Sequence, residues 1–163
     1  MKRISIRLII LGSRPWSLPM FIVTYLIGIL TGFYYSKMFN LYLILLIIMG
    51  GVGELLIHMM TNIINDYYDY IKNIDKENNV KRFHLIINGN LKPEDIKSIS
   101  LLLGIIGLVI GIFIAIMNRP WALLLGFIGF IMGLEYSAPP LYLKYYGLGD
   151  FSVIVSMLLL TLA

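Results

Sequence analysis

A chain of 163 residues that is 59% hydrophobic and only 13% charged is too apolar for a water-soluble domain, where charged side chains make up about 25% of the sequence. The formal net charge of +4 does not argue for nucleic acid, because the lysines and arginines border apolar runs, where they set membrane orientation. The absence of cysteine excludes a disulfide framework and thiolate chemistry.

The chain opens on a basic flank of Lys2, Arg3, Arg7 and Arg14. No small-residue cleavage site follows the first apolar run, so the flank reads as leading into a retained helix and not as a cleaved signal. Apolar segments occupy 18–35, 41–64, 99–117, 121–137 and 148–163. A crossing needs about 17–25 residues. The first and fourth segments are short but adequate, and the fifth is still apolar where the chain stops. The expected fold is all-α, a polytopic transmembrane bundle of about five helices.

Lys and Arg number four before the first segment, one after it, six between the second and third, and one in each later link. The positive-inside rule then places the N-terminus and the 65–98 link in the cytoplasm. The 139–149 link joins them by alternation. Trp16 and Trp121 sit at segment ends, as interfacial anchors do. Pro120 suits a helix start, and Pro139-Pro140 ends the fourth segment. Gly107 with Gly111, and Gly129 with Gly133, have the small-residue spacing that lets helices approach closely.

The second segment ends in Asn65-Asp66-Tyr67-Tyr68-Asp69-Tyr70-Ile71-Lys72-Asn73-Ile74-Asp75. On a helix Asp66 and Asp69 share a face, so Asn62, Asn65, Asp66 and Asp69 line one polar edge. Asp75 joins them if the chain breaks near Asn73. Carboxylates this close repel in a poor dielectric unless cations accompany them. Mg²⁺ suits the position, because it takes hard oxygen ligands from a few carboxylates together with substrate phosphates. Lys72, Lys81, Arg82 and Lys144 are available for the remaining phosphate charge. For Lys72, Lys76 and Lys97 taken singly, orientation of the membrane helices is the stronger explanation. A second polar stretch, 135–150, falls on the same side and offers Tyr136 and Lys144, the lysine to neutralise a leaving phosphate and an aromatic ring to lie near a developing carbocation. Asp150 caps the fifth helix or pairs with a cation. Glu54 and His58 lie four apart inside the second segment. They pair with each other, line a substrate cavity, manage a proton, or make a buried helix contact.

At Asn65-Asp66-Tyr67-Tyr68-Asp69 and Asp75 the chain resembles the UbiA superfamily of membrane prenyltransferases. Arg14-Pro15-Trp16-Ser17-Leu18 looks like the family's first-helix start, and Asn88-Gly89-Asn90-Leu91 like its segment before helix three. Tyr136-Ser137-Ala138-Pro139-Pro140 with Tyr145-Tyr146-Gly147-Leu148-Gly149-Asp150 is similar to the link between helices four and five in the dihydroxynaphthoate branch. That branch serves menaquinone synthesis, and Asn73-Ile74-Asp75 resembles it too, with Asn for the usual Gly. The resemblance implies nine helices around a central cavity, of which residues 1–163 form an incomplete N-terminal portion. It implies transfer of a prenyl chain from a prenyl diphosphate to a small aromatic acceptor such as 1,4-dihydroxy-2-naphthoate. Asp66, Asp69 and Asp75 would hold the diphosphate through Mg²⁺, with Asp66, Asp69 and Lys144 catalytic. Asn62, Asn65, Asp75, Arg82, Tyr136 and Tyr145 would contact substrate. The family's second aspartate-rich motif lies beyond residue 163. The chain is therefore expected to be a fragment, a truncated product or one half of a split enzyme with a separate C-terminal half, and inactive alone. The expected location is the cell membrane. The alternatives are an ether-lipid prenyltransferase acting on a glycerol phosphate and, in another class, a small transporter or structural membrane subunit.

Overall fold

The computed structural model describes residues 4–79, 83–89, 91–117 and 119–162. All regular structure among them is helical: α1 (Ile6–Gly12), α2 (Leu18–Ser36), α3 (Leu41–Ile71), α4 (Pro93–Met117), α5 (Ala122–Glu135) and α6 (Gly149–Leu162), with 3₁₀ turns at Pro15–Ser17 and Leu143–Tyr146. Three helical stretches are long and apolar enough to cross a membrane: Pro15–Ser36, Leu41–Ile71 and Pro93–Met117. The last two expected spans are helices too. With 14 residues, about 21 Å, α5 is shorter than the roughly 30 Å hydrocarbon core, and α6 runs to Leu162, the last described residue.

The helices run up and down, so 13–17, the described residues between α3 and α4 (72–79, 83–89, 91 and 92) and 136–148 gather at one end and 37–40 and 119–121 at the other. Asn40 starts α3 by accepting the Leu43 N–H on its side chain at 2.8 Å, which satisfies a donor the helix leaves open. The apolar run ends at Ile64, yet α3 continues to Ile71. It can do so because Asn65, Asp66 and Asp69 turn inward and are buried. The helix stops at Asn73, whose φ is 54°. There the Asn73 N–H bonds the Tyr70 carbonyl and the Ile74 N–H bonds the Asp69 carbonyl, both at 3.0 Å. This is the Schellman closure, which needs a left-handed residue that Gly or Asn supplies most easily.

α3 and α4 pack along each other where both have glycine. A β-carbon on Gly107 would lie 2.7 Å from the Gly53 carbonyl oxygen, and one on Gly104 would strike Met60. The close approach therefore uses Gly53, Gly104 and Gly107. The expected partner Gly111 and the expected Gly129 have open space at that position. At the gathered end Ile63, Leu85, Ile86, Leu91 and Ile96 form a buried cluster with Leu8 and Ile9 of α1. Each such side chain contributes about 1.5–3 kcal/mol of burial, which fixes residues 83–89 and Leu91 over the end of α3.

Candidate active site

Two carboxylates of α3, three residues apart, are held by two different cations. Arg14 follows α1 in a left-handed conformation (φ 56°), and the Ser17 hydroxyl donates to its carbonyl at 2.7 Å. That turn carries the guanidinium to Asp66, with Nη2 3.0 Å from Oδ1. The second Asp66 oxygen accepts the Leu85 N–H at 3.2 Å. Asp66 has no exposure to solvent, so its charge depends on the groups packed against it.

Asp69 is served from the 136–148 link. Its Oδ1 accepts from Lys144 Nζ at 2.7 Å and from the Tyr145 hydroxyl at 2.9 Å. Its Oδ2 accepts from Lys144 Nζ at 2.5 Å and from Asn65 Nδ2 at 3.0 Å. The carbonyl oxygen of Asn65 accepts from the same Lys144 ammonium at 2.8 Å. The short 3₁₀ turn that presents Lys144 lies between two left-handed residues, Tyr142 (φ 51°) and Gly147 (φ 77°). Lys72 Nζ stands over the Tyr142 ring at 3.7 Å and near the Tyr145 ring at 4.9 Å, a cation–π stack beside the carboxylate. Burial, then the Asp69 charge and hydrogen bond, push the Tyr145 phenol well above its usual range. It stays protonated and remains a donor.

The break at Asn73 returns Asp75 toward α3, its N–H 3.4 Å from the Asp69 carbonyl. Asp75 Oδ2 then lies 3.7 Å from Nε2 of the buried His84. His84 Nδ1 accepts the N–H groups of Ile86 and Ile87 at 3.2 and 3.4 Å, so the Nε2 side faces the carboxylate. Asn62 lies one turn deeper, 3.1 Å from His58 Nε2, and Tyr136 lines the same cleft. Arg82 and Lys81 lie outside the described residues. The sequence reading missed His84 and the pairing of Arg14 with Asp66. The signal for the second was available: a carboxylate buried near a membrane requires a cation. Nothing local shows which of the basic residues supplies it.

Among the described residues no group of three His, Cys, Asp or Glu side chains converges on a metal position. Asp66, Asp69 and Asp75 face Arg14, Lys144 and His84 respectively. The donor chemistry nevertheless suits Mg²⁺. Asn65 and Asp69 present three hard oxygens that already hold one cation, the Lys144 ammonium, and Mg²⁺ commonly completes such a set with substrate phosphates and water.

Fold and site together define an integral membrane protein whose polar chemistry is concentrated at one end of an apolar helical bundle. Residues 8–163 match the UbiA prenyltransferase family, and the chain belongs to that family. It is 30% identical over 150 residues to "UbiA prenyltransferase domain-containing protein 1" of Dictyostelium discoideum, covering 89% of this chain and 44% of that one. It is 28% identical over 138 residues to "1,4-dihydroxy-2-naphthoate octaprenyltransferase" of Bacillus subtilis (strain 168), covering 85% and 43% respectively. The chain thus spans less than half the length of these curated relatives. No solved structure matches it.

Proposed function

We propose that this chain forms the diphosphate-binding part of a Mg²⁺-dependent enzyme that transfers a prenyl chain from prenyl diphosphate to an aromatic quinone precursor. The observation that carries the reading is the convergence of Asp69, Asn65, Lys144 and Tyr145 from elements far apart in sequence. Such a cluster matches a ligand that is anionic yet metal-bound. Asn65 and Asp69, with Asp66 and Asp75 on either side, are the residues that would hold the metal. Bound there, Mg²⁺ supplies positive charge to the oxygens of the departing diphosphate.

In this mechanism Lys144 moves from Asp69 to the diphosphate and stabilises the charge that grows as the allylic C–O bond breaks. Tyr145, a fixed proton donor, orients Asp69. The rings of Tyr142 and Tyr145 already hold the Lys72 ammonium and offer the same π faces to an allylic cation. The electron-rich acceptor carbon then forms the new C–C bond, and its ring proton leaves. The prenyl tail lies in the apolar cavity of about 840 Å³ lined by Tyr25, Leu46, Gly111 and Phe127.

The similarity to a 1,4-dihydroxy-2-naphthoate octaprenyltransferase supports a dihydroxynaphthoate acceptor. So does Asn73, whose left-handed conformation suits the glycine expected there in the naphthoate branch. The ether-lipid alternative favours an aspartate at that position. The site end is assigned to the cytoplasm, with the N-terminus on the same side. Membranes carrying this chain together with the C-terminal half expected to complete it should form a Mg²⁺-dependent product from prenyl diphosphate and 1,4-dihydroxy-2-naphthoate. Product with another acceptor but none with this one would reject the acceptor, and prenylation unaffected by chelation would reject the metal.

A further inference from the structure

Beneath the Asp66 pair, α3 continues a polar row at every fourth residue, Asn62, His58 and Glu54, which falls on one helix face. A cleft of about 210 Å³ follows the row, lined by Arg14, Ser17, His58, Asn62 and Tyr136. Glu54 lines both this cleft and the larger apolar cavity, so it stands where the two meet.

The His58 ring is fixed on one side only. Its Nε2 lies 2.8 Å from the Ser17 hydroxyl and 3.1 Å from Asn62 Nδ2, and the Phe21 ring stacks on it at 5.8 Å. Among the described residues neither His58 Nδ1 nor the Glu54 carboxyl makes a hydrogen bond. The two groups are one turn apart and do not bond each other. Polar groups inside a membrane helix are costly to leave unsatisfied and face the interior when they serve a ligand.

We propose that His58 and Glu54 are the two polar contacts of an acceptor subsite for a para-dihydroxy aromatic ring, one hydroxyl on each. The proposal rests on the reading above that the acceptor is an aromatic quinone precursor. Two groups separated by a rise of about 6 Å match the spacing of oxygens on opposite corners of one ring. The rise from His58 to Asp69 is about 16 Å, which accommodates the diphosphate, the first prenyl carbon and the ring edge in series. A site that hydrogen-bonds a hydroxyl discriminates against the analogue lacking it, because its own polar group is left unpaired.

The test is anaerobic equilibrium binding of 1,4-dihydroxy-2-naphthoate and 1-hydroxy-2-naphthoate to the purified protein. Binding of prenyl diphosphate with Mg²⁺ is measured separately. Wild type should favour the dihydroxy compound by about tenfold, the value of one good hydrogen bond. Glu54→Leu should bring that ratio to about one, and Glu54→Gln, which still hydrogen-bonds, should keep most of it. His58→Leu should weaken both naphthoates and His58→Gln should restore them, with prenyl diphosphate binding unchanged in both His58 variants. A ratio unaltered in Glu54→Leu, or equal binding of both compounds by wild type, overturns the subsite. Wild type that binds prenyl diphosphate but neither naphthoate removes the aromatic acceptor and this proposal with it. Wild type that binds both naphthoates but no prenyl diphosphate removes the prenyltransferase reading and leaves the subsite standing.

Discussion

At the residue scale the two aspartates differ in what they tolerate. Asp66 is sealed between Arg14 and the Leu85 amide. Arg14→Leu should destabilise the protein, by up to about 3–5 kcal/mol, the scale of removing one partner from a buried ion pair. Adding Asp66→Asn should recover much of that loss, since the two changes act on one pair. Unfolding in detergent followed by helix signal measures both. Asp69 instead gathers donors that a ligand can claim. Asp69→Asn should keep the fold but lower prenyl transfer by about a hundredfold or more, the scale of losing a group that acts on developing charge. Tyr145 sharpens the pH expectation. Burial and the Asp69 charge both oppose its phenolate, so Tyr145 does not lose its proton as pH rises through 10. Tyr145→Phe should lower the rate and leave the alkaline limb of the pH profile where wild type has it. Much of this was legible in sequence: Asp66, Asp69, Asn65 and Lys144 stood out as polar groups in an apolar chain. Arg14 did not, because its role depends on a contact across 52 residues.

At the element scale the decisive feature is the end of α3. Hydropathy alone ends the helix at Ile64, because it registers polarity and not the direction in which a side chain points. The inward aspartates allow further turns, and Asn73 then closes the helix and returns the chain toward Asp69. Asn73→Gly should leave stability unchanged or slightly raised. Asn73→Val should cost about 1–2 kcal/mol, since a β-branched residue resists the left-handed region. Transfer activity should fall with it, as Asp75 moves. The glycine seam offers a second check. Gly107→Ala places a methyl against the Gly53 carbonyl, and overpacking of this kind costs about 1–3 kcal/mol. Gly111→Ala, facing open space, should be close to neutral. Spacing could indicate that glycines permit close approach. It could not say which ones face another helix and which face a cavity.

At the scale of the whole molecule, up-and-down helices bring three links to one end, and the basic residues cluster there as well. The orientation can be tested directly because the chain has no cysteine. Asn79→Cys should resist a membrane-impermeant maleimide in intact cells and react in inverted vesicles. Phe39→Cys, in the link between α2 and α3, should do the reverse. Composition was sufficient for the all-α membrane class and for the positions of the apolar helices. It could not say where α5 stops and α6 starts, because those two ends are set by the link between them, with its 3₁₀ turn, and not by a change in hydropathy.

The Leu85 amide joins two properties usually measured apart. Its N–H ends on the Asp66 carboxylate, while its side chain is locked into the cluster that anchors the 83–89 segment. That hydrogen can reach solvent only if the segment lifts and Asp66 loses a partner in the same motion. Its deuterium uptake should therefore be among the slowest in the links, governed by cooperative opening of the segment and not by local fraying. Peptides spanning 83–89 would report the integrity of the site in the native membrane protein, without substrate and without turnover.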